Sequence, residues 1–178
     1  GIDAYWKESS NPKNLRTAYL LGFMPPNLFR VAAVWSELAR LGFRWNAEGP
    51  LRALELGAGP ATGASGIALG ESYAPVGLPS EGSWALIEQD RHILEWGEDW
   101  AIRVFREFLG ARGEWTTRGF PRRLEAGREL LPKNAPKMNL WLTSYFLNEL
   151  KASPEEIAET LLTAWDRHLE DEGVVILV

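Results

Sequence analysis

No cysteine occurs among the 178 residues, which excludes disulfides, thiolate zinc sites, iron–sulfur ligation and a cysteine nucleophile within this sequence. Histidine is nearly as scarce. Only His92 and His168 could offer an imidazole, too few for a histidine-rich metal centre, so no metal is expected. No apolar run approaches the roughly 20 residues that a membrane span needs, and no secretory signal peptide opens the chain. A Ser-His-Asp constellation, a paired-carboxylate motif, internal repeats and low-complexity tracts are lacking as well. These absences lead us to expect a cytoplasmic protein without membrane contact.

What is present fits an ordinary globular domain: 46% hydrophobic and 24% charged residues in a length ample for one core. The formal net charge is −5, but its distribution is uneven. Residues 112–137 hold seven basic side chains, Arg112, Arg118, Arg122, Arg123, Arg128, Lys133 and Lys137, against three acidic ones. Such a block is either a footprint for a polyanion or a solvated loop and helix face, and the second is the commoner outcome.

Leu15, Tyr19 and Phe23 recur at helical spacing until Pro25-Pro26 interrupts them. Asn27 then reads as an N-cap for a helix carrying Phe29, Val31, Val34, Trp35, Leu38 and Leu41, stopped by Gly42. The period changes at Leu51–Leu56 and again at Trp84–Ile87, two short apolar runs that predict buried strands. Ala61–Leu69 between them reads as a helix, followed by a loop rich in glycine, proline and serine over 71–83. Ile93, Trp96, Trp100, Val104, Phe105 and Phe108 mark a long helix ending at Gly110. Strands follow at 114–118 and 138–143, with 124–131 a candidate helix between them. Ser153-Pro154-Glu155-Glu156 is a capping box with proline at the first helical position. It opens a helix with the stripe Ile157, Leu161, Leu162, Trp165 and Leu169, and a fifth strand over 174–178 comes after Gly173. Alternation of this kind predicts a mostly parallel sheet covered on both faces, an α/β doubly wound fold. The division expected is a helical extension over 1–49 and a core over 50–178. The sequence ends on a strand and does not begin with methionine, so a segment of a longer protein is expected.

Nine tryptophans invite an RNA-stacking reading. Trp35, Trp96, Trp100 and Trp165 lie on helix stripes and Trp84 and Trp141 in strands, so most are expected in the core. Trp6, Trp45 and Trp115 stay unassigned.

Glu55-Leu-Gly57-Ala-Gly59-Pro-Ala-Thr-Gly63 carries the most information. It follows a strand and opens a helix, the context in which a glycine turn can lie against a ligand. A dinucleotide fingerprint wants glycine where Thr62 stands, and a P-loop wants a lysine that is absent. Both departures argue against a pyrophosphate or triphosphate cradle. Glu88 closes the second strand, where a carboxylate can accept hydrogen bonds from both ribose hydroxyls. Asp90 is a rival two residues on.

These residues resemble the class I S-adenosylmethionine-dependent methyltransferases. Glu55–Gly59 looks like their first motif, 87–94 like the acidic second-strand motif, and 139–150 like the fourth-strand motif with its turn. Residues 15–27 and 144–150 further resemble a methyltransferase-like family associated with the mitochondrial small ribosomal subunit and its bacterial relatives. The resemblance implies a Rossmann-like sheet with two more strands after the fifth, and S-adenosyl-L-methionine as cofactor. It places Glu55, Gly57, Ala58, Gly59 and Gly63 at the methionine end and Glu88 at the ribose, with Gln89 and Phe120 also in the cofactor set. Thr143, Ser144 and Asn148 would face the sulfonium and the substrate, Ser144 and Asn148 as catalytic candidates. The third-strand position that often offers an acid falls near Gly119–Phe120 and has none, and Asn139 replaces the acid that often begins strand four.

Three functions compete at this point. The first is a methyltransferase acting on small-subunit ribosomal RNA or in ribosome assembly, with Arg112, Arg118, Arg122 and Arg123 as the RNA contacts. The second is a small-molecule methyltransferase, and the third a non-catalytic assembly factor that keeps the fold.

Overall fold

Parallel strands need crossover connections, and helices supply most of them here. The computed structural model describes residues 12–109, 114–125, 128–147 and 150–178. Helices α1 (Pro12–Gly22) and α2 (Met24–Arg40) come first. Then follow β1 (Leu51–Leu56), α3 (Thr62–Tyr73), β2 (Gly82–Glu88), α4 (Arg91–Phe108) and β3 (Trp115–Pro121). Last come β4 (Met138–Thr143), α5 (Pro154–His168) and β5 (Leu169–Leu177). The strands form one sheet in the order β3-β2-β1-β4-β5, each neighbouring pair parallel. The order reverses between β1 and β4, where the carboxyl ends of the strands leave a crevice.

Side chains alternate faces along a strand, so each strand feeds two cores. Leu51 and Ala53 of β1, Trp84 and Leu86 of β2, and Leu140 and Leu142 of β4 join residues of α2, α3 and α4. Leu54, Leu56, Ala85, Ile87, Phe120 and Trp141 pack on the other face against Leu130, Leu131, Leu161 and Ala164. Phe105 of α4 stacks on Trp84 and on Trp115, with ring centroids 5.6 and 4.6 Å apart. Each such pair adds about 0.5–1.5 kcal/mol beyond the area it buries.

Helix α3 is sandwiched between the sheet and α2, and every residue from Thr62 to Glu71 is buried. Gly66 and Gly70 make the sandwich thin enough. A Cβ at Gly66 would stand 2.7 Å from the Leu28 carbonyl oxygen, and one at Gly70 would stand 2.8 Å from the Trp35 Cβ. At the end of α3 the buried Glu71 carboxylate accepts from Trp35 Nε1 and from the amides of Val76, Gly77 and Leu78, all at 2.8–3.0 Å. Four donors around one carboxylate offset the cost of taking it out of water.

Several expectations need correction. Pro25 and Pro26 do not separate two helices; they lie in the first turn of α2, which begins at Met24. Their missing N–H groups are among those a first turn leaves unpaired anyway. Asn27 is therefore inside the helix, its side chain accepting from Arg30 at 3.1 Å. The candidate helix over 124–131 is absent among its described residues, since Gly127 and Pro132 leave too short a run to propagate one. Strand β5 starts at Leu169 rather than Val174. Its regular ladder pairs Val174–Leu177 with Leu140–Thr143, and the register shifts between Met138 and Leu140. The acidic stretch before Gly173 is thus an irregular beginning of the strand.

Trp35, Trp84, Trp115 and Trp141 are core residues. Trp96 and Trp100 are not, at 45% and 44% exposed. The burying stripe of α4 runs through Ile93, Gly97, Ala101 and Val104–Phe105, and the two indoles stand beside it. Phe29, Leu41, Phe108 and Leu162 are exposed as well. Among the described residues no helix is long and apolar enough to cross a membrane, and no group of acidic and histidine side chains could hold a metal ion.

Candidate functional site

The glycine turn joins β1 to α3 at the carboxyl end of the sheet. Gly57 and Gly59 have φ of +69° and +53°, a region glycine enters without steric cost. The amides of Gly57 and Ala58 both donate to the Ile87 carbonyl, at 2.9 and 3.0 Å, which fixes the turn to the end of β2. Ala61, just before α3, takes φ +61° with a Cβ present, a strain of about 1–2 kcal/mol that the packing around it sustains.

Strand parity explains Glu55. It lies two residues after Ala53 and so shares its face, under the first turn of α3. Its carboxylate accepts from the Gly63 amide at 2.7 Å and the Ala64 amide at 2.8 Å. Burial pushes its pKa up to about 8, opposed by those two amides and reinforced by the charge of Glu88. In phosphate-binding folds the first amides of such a helix face the phosphate. Here two of them are given to an internal carboxyl group, which weighs against a pyrophosphate.

Glu88, at the end of β2, shares the face of Trp84 and Leu86 by the same parity. One oxygen accepts from the Gly59 amide at 3.1 Å and the other from the Asp90 amide at 2.9 Å. Burial raises its pKa, and these amides oppose the rise. The rival Asp90 is committed elsewhere. It caps α4 by accepting from the amides of His92 and Ile93, and it pairs with Arg16 Nε of α1 at 3.0 Å. Glu88 is therefore the acid that touches the glycine turn.

Ala58 is buried, and Gln89 is exposed in a groove that Arg122 and Arg123 also line. Phe120 is nearly buried, with the Arg118 and Arg122 guanidinium carbons 5.3 and 5.8 Å from its ring centroid. Thr143 is buried, and its hydroxyl accepts from Trp141 Nε1 at 3.0 Å. It shares the face of Trp141, away from that of Glu55 and Glu88. Ser144, one residue on, is buried at the end of β4. Asn148 and Arg112 lie outside the described residues.

Asn139 works at the opposite end of the sheet. It accepts from the Arg52 amide at 2.8 Å and donates to the Pro50 carbonyl at 3.1 Å, which ties β4 to the start of β1. His168 ends α5, 3.7 Å from Glu129, and burial holds its pKa below the ordinary value. The third strand has no acid at 119–120, yet Glu98 of α4 reaches across to accept from the Gly119 amide.

Other residues at the crevice come from distant elements, and no local pattern announces them. The Tyr19 hydroxyl of α1 stands 3.4 Å from where a Cβ on Gly59 would be. Phe146, after β4, has ring atoms 2.5–2.6 Å from the corresponding point on Gly57. Tyr145 takes φ +54°, with the Arg30 guanidinium of α2 5.5 Å from its ring centroid. Thr62, at the start of α3, has a buried hydroxyl with no hydrogen-bond partner among the described residues.

No protein-family profile and no curated protein matches this sequence. Solved structures do. The plantazolicin methyltransferase BpumL in complex with SAH superposes with a TM-score of 0.56 at 11% identity, covering 98% of this chain and 55% of that one. The mitomycin 7-O-methyltransferase MmcR gives 0.52 at 14% identity, covering 96% and 40%. SAH-bound CalO1, a methyltransferase in calicheamicin biosynthesis, gives 0.51 at 15%, covering 99% and 42%. The chain spans about half the length of these proteins or less. With its five parallel strands, switch point and glycine turn, it has the Rossmann-like fold of the class I methyltransferases.

Proposed function

We propose that this chain is the cofactor-binding part of an S-adenosylmethionine-dependent methyltransferase. The observation that carries the reading is the pair of carboxylates around the glycine turn. Glu55 occupies amides that a phosphate would need, and Glu88 touches Gly59 from the end of β2. Such a site suits a ligand with a cationic sulfonium at one end and a ribose at the other. The residues present fit it. Gly57 and Gly59 put no Cβ between the turn and a ligand, although Phe146 lies against the first of them, and the Thr62 hydroxyl, without a partner among the described residues, offers a further polar contact. Gly57, Ala58 and Gly59 would hold the methionine portion, Glu88 the ribose, and Gln89 and Phe120 the adenine end.

When bound, S-adenosylmethionine supplies an electrophilic methyl group on a good leaving group. The chain's own task is to align the acceptor and exclude water, which needs no triad. Ser144 directly follows β4, the strand beside β1, and with Asn148 it would orient the acceptor. Methylation of small molecules or peptides is favoured by the similar structures. A second reading, an RNA acceptor, is favoured by Arg118, Arg122 and Arg123 around the end of β3. Binding to small-subunit RNA that falls steeply with salt supports that reading, because each phosphate contact releases counterions. Salt-independent or absent binding removes it.

Calorimetry with S-adenosylmethionine and its product tests the main reading. Micromolar binding is expected, weakened in Glu88→Ala by about tenfold or more, the scale of a lost hydrogen bond to a charged group. No binding at millimolar cofactor overturns it.

A further inference from the structure

The backbone reserves a place against Gly57 that the protein fills with its own side chain. Gly57 adopts φ +69°, and the space a Cβ would need holds the Cβ, Cγ and Cδ2 of Phe146. Phe146 reaches that position because Tyr145 breaks the run of β4. Its left-handed backbone, φ +54°, turns the chain sharply, with the Tyr145 ring under Arg30 of α2 and the next ring against Gly57. A non-glycine residue in that conformation persists only where the surroundings demand it. The Tyr145 amide is held by the Val178 carbonyl at 3.0 Å, which anchors the base of the turn to the end of β5. Tyr19 of α1 lies over the neighbouring Gly59 more loosely, its hydroxyl 3.4 Å from where a Cβ would be.

We propose that Phe146 is a gate, filling the place of the cofactor against Gly57 and swinging aside for it to bind. The proposal rests on the cofactor reading above. The ring is only partly buried and also packs against the apolar cluster on the α5 face of the sheet, so it has a surface to retreat to. The closed state lowers the apparent affinity by the fraction of molecules that stand open. Removing the ring removes that loss, whereas removing a side chain that merely lines the site would cost affinity. The two roles therefore move the measurement in opposite directions.

The test is titration of the chain with S-adenosylhomocysteine, by calorimetry and stopped-flow fluorescence, for the wild type, Phe146→Ala and Phe146→Leu. Phe146→Ala is expected to bind about tenfold tighter, the relief due when a state populated about one time in ten becomes the resting state. The gain should appear in the association rate. Its thermal midpoint should fall at the same time, since a packed ring is lost. Phe146→Leu is expected between the two, and it carries the test if the alanine variant does not fold. Equal or weaker binding by folded variants overturns the gate and leaves the cofactor reading standing. Absence of binding by wild type and variants alike overturns that reading, and the gate with it.

Discussion

Glu55 is a side chain whose chemistry departs far from its ordinary behaviour. Its carboxyl has a pKa near 8 in the folded protein because it is buried, whereas in the unfolded chain it titrates near 4.5. A folded pKa above the unfolded one means that the native state holds the proton more tightly. The contribution to stability is full below about pH 4.5 and is lost as pH rises to about 8. At 1.36 kcal/mol per unit, the change is about 3–5 kcal/mol. Urea midpoints measured from pH 5 to 8.5 should therefore fall for the wild type. They should fall much less for Glu55→Gln, with a residue of slope from Glu88, which shifts in the same direction. Equal slopes in the two proteins would show that Glu55 does not titrate in this range. A bound cation would pull the same carboxyl down, so cofactor affinity should rise over the interval in which stability falls.

At the scale of elements, α5 shows how local grammar works when it is complete. Ser153 accepts from the Glu156 amide at 3.2 Å while the Glu156 carboxylate accepts from the Ser153 amide at 2.8 Å, with Pro154 in the first turn. Ser153→Ala should lower stability by about 1 kcal/mol. Faster amide exchange should be confined to the first turn of α5; exchange spreading into β4 would contradict the assignment. That motif was legible because all its parts lie within four residues. The same holds for β1 and the glycine turn, where a change of hydrophobic period coincides with glycines, and for β4, an apolar run bounded by Pro136. Glu88 was legible from its place at a strand end.

What could not be read depended on partners far along the chain. Pro25-Pro26 looks like a break until α2 is seen to pack on Gly66 and Gly70, which makes its first turn worth forming. The indoles of Trp96 and Trp100 look like core until the burying stripe of α4 is fixed by the sheet. What holds the rival Asp90 could not be read either, because its partner Arg16 lies 74 residues away. Phe146 and Tyr19 meet the glycine turn only through the fold, so no spacing in the sequence reveals them.

For the whole molecule, the crevice is built on a rigid sheet and roofed by a lighter element. Helix α1 reaches the core through Arg16 on Asp90 and Tyr19 over Gly59, whereas α3 is buried from Thr62 to Glu71. Arg16→Ala should speed amide exchange in α1 while β1 and β2 keep their protection. Uniform acceleration across the sheet would instead show that the Arg16–Asp90 pair, both side chains about one-fifth to one-quarter exposed, supports the entire domain.

The half-wet position of Trp96 and Trp100 has an optical meaning. With Leu20, Met24 and Pro60 they line the seam between the N-terminal helices and the glycine turn, while Trp35, Trp84 and Trp141 emit from a dry interior. Hydrated indoles emit further to the red than buried ones, so Trp96 and Trp100 should weight the long-wavelength side of the emission. A displacement of the roof should therefore change the colour of that emission, with no dye attached and no residue replaced.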